Sequence, residues 1–486
     1  TIENMFAVSL FLFALLNFVT YSFAVQCQIF VDPSSKVGTG CGSNLATACK
    51  SVMDGIDAAS QISAGDLQTC AQFSINLASA TYIGPKNTQI EFEVQLANNS
   101  LPIVFNGIGN KTTIIDSQEN GFGWAVNIAA GQQVTFSKLH FTNARRNSGA
   151  GGALALVCDP LGQVTVDQCT FVNNGAPQGG AIAMQAAGSL TVGASQFTNN
   201  IATQSAHNPA ACEQGGGAIY VAGDPTQTPN VKLDVELCEF GENTALLACG
   251  GAILTVGTPD VSIGFTKFEE NSAVNGGAIG VVGCRGSQIW GGLSMTANNA
   301  SAHGGAIYMS DDTQTVEALT AVLNRAGEAG GAVYIVKSAV TIVDSVFTSN
   351  EALTFGGAIA IEQHALVKTS TGNVLNNITA AANSAPQGTA LYCAAASEII
   401  PPFFPEQELC LSSCIDPKTS KCACNKCTQP APTHGPATPA PTPESSSPWP
   451  AVLIVLFVIF ALVGGAAAFY WWRKRSAGGR ATFLNI

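Results

Sequence analysis

The phrase Gly-Gly-Ala followed by Ile, Leu or Val recurs eight times between residues 151 and 359. Whatever this chain folds into must repeat with it. The copies begin at Gly151, Gly179, Gly216, Gly250, Gly276, Gly304, Gly330 and Gly356, with a degraded copy at Gly388-Thr389-Ala390-Leu391. Asn-x-Ala precedes seven of them, at Asn174, Asn200, Asn243, Asn271, Asn298, Asn324 and Asn350, and Asn377 forms an eighth with Thr379 in the Ala place. Three residues before each Asn stands Phe171, Phe197, Phe240, Phe268, Met295, Ala321, Phe347 or Val374. Most Asn-to-Asn steps are 26–28 residues. A fixed period of this size marks a solenoid, in which no unit buries its inner face alone and neighbours supply the cover.

Each unit holds two or three short alternating runs, the content of one turn of a parallel β-helix. The fourth and sixth places of Gly-Gly-Ala-Ile-x-Val share one side of an extended chain. The fourth is always Ile, Leu or Val and the sixth apolar apart from Thr255, whereas the fifth varies from Gly280 to Tyr334. Places four and six therefore face the core and place five faces out. The glycines allow bends with φ > 0 and close stacking. The Asn residues can take a left-handed bend and bond to identical neighbours along the stack. They are assigned a structural ladder: Asn174, Asn200, Asn243, Asn271, Asn298, Asn324, Asn350 and Asn377. The one long step, from Asn200 to Asn243, carries insertions at 203–215 and 223–230, which a solenoid extrudes at its corners. These are candidates for a specialised surface.

The flanks read differently. Residues 1–24 end an uncharged apolar run with Ser22-Phe23-Ala24, as a secretory leader does, with Met5 a possible start. Residues 25–72 form an N-terminal cap, whose Val52, Met53, Ile56 and Ala59 share one helical face. The β-helix then occupies 73–392. A Cys-rich neck (393–428) and a Pro/Thr/Ser-rich stalk (429–450) lead to an uncharged stretch at 451–472. That stretch suffices for a bilayer core of about 30 Å. Trp449, Tyr470, Trp471 and Trp472 lie at its ends, and Arg473-Lys474-Arg475 opens a short cytoplasmic tail, 473–486. The expected topology is a single-pass type I protein of the plasma membrane with its N-terminal body outside. Sequons at Asn98, Asn110, Asn299 and Asn377 and 16 cysteines suit that oxidising, glycosylating route. Cys169 and Cys238 share one offset two coils apart, too far to bond, and read as buried fillers.

The paired motifs Phe-x-x-Asn-x-Ala and Gly-Gly-Ala-Ile resemble the repeat of the chlamydial polymorphic outer membrane proteins, found also in eukaryotic surface proteins. The resemblance implies a pectin-lyase-like, right-handed parallel β-helix, surface display and adhesion. Those bacterial proteins end in a β-barrel. This chain ends in one apolar segment, which implies a eukaryotic-type relative.

Charge narrows the partners. The net charge is −12, and the tail holds four of the 20 basic residues. An acidic body repels phosphate backbones, which excludes nucleic acid. Polysaccharide-cleaving β-helices need carboxylates aligned in neighbouring coils. Here Asp167 and Glu236 share an offset without adjacent partners, Asp311-Asp312 reads as a corner turn, and His140, His207, His303 and His364 are dispersed. The expectation is therefore a non-enzymatic rod for adhesion or recognition of a glycan or protein, with no catalytic residue, metal or cofactor. A polysaccharide lyase or hydrolase and a structural coat protein are the alternatives. Candidate ligand contacts are the outward aromatics Tyr220, Tyr308 and Tyr334.

Overall fold

A computed structural model describes residues 25–400 apart from 38–40, 43–44, 63–69, 95–100, 204–211, 224–230, 259, 285–287, 363–372 and 394–398. The leader, neck, stalk, membrane segment and tail, with Asn98, His207 and His364, lie outside the described residues. Among the described residues no helix is long and apolar enough to cross a membrane.

The chain winds into a parallel β-helix. The central coils pass through three sheets, and strands pair in parallel with their equivalents in the coils before and after. The first sheet has eleven strands, from Ile90–Val94 to Leu391–Cys393, and the eight strands that follow Gly-Gly-Ala stack within it. The second is a large sheet of two columns, typified by Gln163–Asp167 and Thr170–Val172 and fused where Ala339–Thr348 runs through both. The third stacks seven short strands, Gly175–Ala176 to Glu351–Ala352. At the N-terminal end, helix Val52–Ser60 starts at Ser51, whose Oγ accepts from the Asp54 N–H, and buries Val52, Gly55 and Ala59. Met53 and Ile56 pack half-buried beside them. Disulfides Cys27–Cys70 and Cys41–Cys49 tie this cap together.

Fourth- and sixth-place side chains form the core with the Phe column. The rings of Phe141, Phe171, Phe197, Phe240 and Phe268 stack with centroids 4.6–5.2 Å apart and nearly parallel planes. Both glycines of each pair are required by geometry. Gly276 has φ 63°, and a Cβ on Gly277 would overlap the carbonyl oxygen of Gly305 in the next coil.

From Asn200 to Asn350 each ladder amide uses its full bonding capacity. Asn243 Nδ2 donates to the Phe197 carbonyl (2.9 Å) and to Asn271 Oδ1 (3.0 Å), while its Oδ1 accepts from the backbone N–H and Nδ2 of Asn200. Two details correct the sequence reading. The left-handed residue is the one before each ladder Asn, such as Asn173, Glu242 and Leu323, leaving the Asn amide turned inward. The last rung is Asn383, which accepts from the Asn350 N–H and Nδ2 and donates to the Phe347 carbonyl. Asn377 lies within strand Asn373–Ala381, and Ala380, not Val374, pairs with Phe347. The step from Asn350 to Asn383 is 33 residues, so counting one ordinary repeat forward from Asn350 stops early, at Asn377.

A second inward column, at the bend inside the second sheet, carries small polar groups. Cys169 N–H donates to Ser195 Oγ (3.0 Å) and Cys238 N–H to Thr266 Oγ1 (3.4 Å). Cys169 and Cys238 are buried free thiols, as expected of fillers, and burial pushes each up to about 12.

Asn271→Ala strips the Asn243 amide and the Phe240 carbonyl of buried partners and is expected to cost about 2–4 kcal/mol in denaturant unfolding. Asn199→Ala, on the exposed outside of the ladder, should cost less, about 1 kcal/mol, because Ala replaces Asn in a left-handed corner.

Candidate functional site

The fifth place faces away from the core, yet it is not open to solvent. Tyr220, Tyr308 and Tyr334 are only 5–6% exposed. The chain segment leading into each glycine pair folds over them, and with Ala183, Leu254 and Ala360 they form a second apolar cluster. This corrects the expectation of an open aromatic face. Tyr220 is also separated from the other two, since Leu254 and Gly280 occupy the intervening rungs. Its hydroxyl donates to the Glu213 carbonyl, beside a disulfide between Cys212 and Cys249. That bridge fastens the end of the first insertion to the next coil.

Titratable groups converge around Tyr334. Strand Asn299–His303 ends where the chain turns into Gly304-Gly305, and this delivers the His303 ring onto Tyr334 of the following coil. The rings stack with centroids 4.4 Å apart, and Tyr308 stacks on the other rung at 5.6 Å. His303 Nε2 lies 3.4 Å from Glu328 Oε2, and the Tyr334 hydroxyl donates to Glu362 Oε2 at 3.0 Å. His303 Nδ1 is buried without a hydrogen-bond partner. Burial lowers the imidazole below its ordinary value, against the opposing pull of Glu328 and Glu362. Burial and Glu362 raise the Tyr334 phenol strongly, and burial also raises Tyr308. The cluster thus sets a neutral imidazole against a protonated phenol, with carboxylates on either side. That arrangement can accept and donate hydrogen bonds to hydroxyls or amines, and it can move a proton.

Sequence reading missed His303 because the histidines share no offset. The usable signal was its place directly before a glycine pair, in the column that covers the fifth-place ring. Elsewhere that column holds Cys249, Asn275, Ala329 or Phe355. The other candidate acids do not assemble. Asp167 and Glu236 have Gly193 between them. Asp311 occupies a left-handed corner, whereas Asp312 turns inward and is buried. Burial raises the Asp312 carboxyl well above its ordinary range, and its Oδ2 has no partner. Among the described residues no group of three or more His, Cys, Asp or Glu could hold a metal ion.

No protein-family description matches the sequence, and no curated protein matches it. Solved structures do. The periplasmic alginate epimerase AlgG aligns over 68% of this chain and 77% of its own, with TM-score 0.35 and 11% identity. The Azotobacter vinelandii mannuronan C-5 epimerase AlgE4 A-module covers 75% and 100%, with TM-score 0.35 and 10% identity. A mannuronic acid specific polysaccharide family 6 lyase from human gut microbiota covers 63% and 82%, with TM-score 0.20 and 10% identity. The likeness is one of fold, the right-handed parallel β-helix. It also removes the expectation that this chain is not an enzyme, because the structures it resembles are polysaccharide epimerases and a lyase.

Because folding places Asp312 where it holds its proton, the stability this proton confers is complete below about pH 3.8 and is lost as pH rises through the raised folded value. Asp312→Asn should therefore melt higher than the parent at neutral pH, and the gap should close as melting is followed down to pH 4.

Proposed function

We propose that this chain is a cell-surface β-helix that engages a neutral or amino-sugar polysaccharide at the cluster around His303 and Tyr334. The carrying observation is the imidazole stacked on a tyrosine between two carboxylates, at 4.4 Å from the ring and 3.4 Å from Glu328. Carboxylate and imidazole acceptors suit sugar hydroxyls and ammonium groups. The acidic body, at net charge −12, disfavours polyuronates. The leader at 1–24, the sequons and the span at 451–472 support display outside the plasma membrane. So does the resemblance of the repeat to chlamydial surface proteins. The neutral imidazole beside Glu328 is a candidate general base, so the reading extends to proton abstraction from the bound sugar.

Full-length protein presented to a panel of neutral, amino-sugar and uronic polysaccharides should bind the first two classes and not the third. His303→Ala with Glu328→Gln should weaken that binding about tenfold or more. Binding that is absent, confined to polyuronates or indifferent to the double variant would refute the proposal. Chromatography of the same incubations reads any turnover.

A further inference from the structure

The bend between the two columns of the second sheet forms a straight ridge along the rod. Its residues, in coil order, are Lys138, Gln168, Ala194, Leu237, Phe265, Gly292, Ala318 and Asp344. The N–H of each of the first seven donates to the coil that follows, so the order is fixed by backbone hydrogen bonds. All eight have positive φ, between 45° and 66°. A left-handed corner open to water favours Gly or Asn and disfavours bulky side chains. Yet the two central positions carry Leu237 and Phe265, 61% and 68% exposed. Each combines an unfavourable backbone conformation with an apolar side chain in water. Ile289, 60% exposed in the next coil, extends the patch, and the Phe265 ring lies against Gly292, where any Cβ would collide with it. Sequons Asn110 and Asn377 fall beyond the two ends of the ridge, while Asn299 lies in the Gly292 coil but on the third sheet, off the ridge line.

We infer that this ridge is a homophilic interface, on which a second copy of the chain packs antiparallel about a two-fold axis between Leu237 and Phe265. The side-chain order is what points to a second copy. Turning the ridge end for end sets Leu237 against Phe265, Ala194 against Gly292, Gln168 against Ala318 and Lys138 against Asp344. Apolar meets apolar, small meets small, and a cation meets an anion. The same rotation keeps each flank on its own side, which sets Glu239 against Lys267. One like-charged pair also results, Asp167 with Glu317. A parallel pairing about a two-fold along the ridge would set Lys138 against Lys138 and Asp344 against Asp344, so charge selects the antiparallel form. The ridge spans eight coils, about 34 Å at ~4.8 Å per coil, a narrow contact in the weak, transient class. The inference is independent of the carbohydrate reading.

Disulfide trapping on full-length chains in detergent tests it. Gln168→Cys and Ala318→Cys face each other in the antiparallel pair, whereas each lies about five coils, or ~24 Å, from its own copy. Mixing the two variants should give a mixed dimer, and neither alone should self-link. Leu237→Asn with Phe265→Asn should lower the mixed yield about tenfold or more. Asn tolerates the left-handed corner, so melting should stay unchanged or rise. Self-linking by either variant alone, absence of any mixed link, or a mixed link indifferent to the Asn substitutions would overturn the interface.

Discussion

Everything in this molecule depends on how closely one coil can lie on the next. At the glycine pair the backbones approach so tightly that the second glycine has no room for a side chain. Its neighbour one coil on presents a carbonyl where a Cβ would sit. A few residues upstream, the ladder Asn closes the same corner from inside, satisfying a backbone N–H and a carbonyl that the turn would otherwise bury unpaired. Side chains of the core then fall into register automatically. The near-parallel Phe stack follows from equal spacing of identical coils rather than from any preference of one ring for another.

The same register explains why polar chemistry is sparse and local. A side chain in a solenoid meets its counterparts one coil up and down and the column beside it, so a functional cluster must be assembled across columns. The cluster around Tyr334 arises this way. The residue entering the glycine turn covers the fifth-place ring of the coil beyond it, and where that residue is His303 the cover becomes an imidazole. In the next coil the same cover is Ala329, and the result is only packing.

Much of this was legible beforehand. The period, the inward fourth and sixth places, the capping helix and its cysteines, and the small free thiols all follow from local pattern and appear as expected. Three things did not follow. The last ladder rung moved to Asn383, because an insertion within the coil changes where the corner falls. The tyrosines at the fifth place are covered, because alternation along a strand says which face a side chain takes and not what lies on that face. Catalysis was set aside from the scatter of acidic residues, an exclusion that does not stand, because side chains scattered in sequence come together across columns, as His303, Glu328 and Tyr334 do.

The sequence by itself determined the solenoid: a repeated bend, a repeated amide and a repeated apolar pair leave coil-on-coil stacking as the way to bury the apolar face. Only the tertiary structure decided which residues from different coils stand together. His303 with Tyr334 and Glu328, and the ridge from Lys138 to Asp344, depend on distances between columns that one-dimensional spacing does not encode. The rod is written in the period, and its surface in the register between coils.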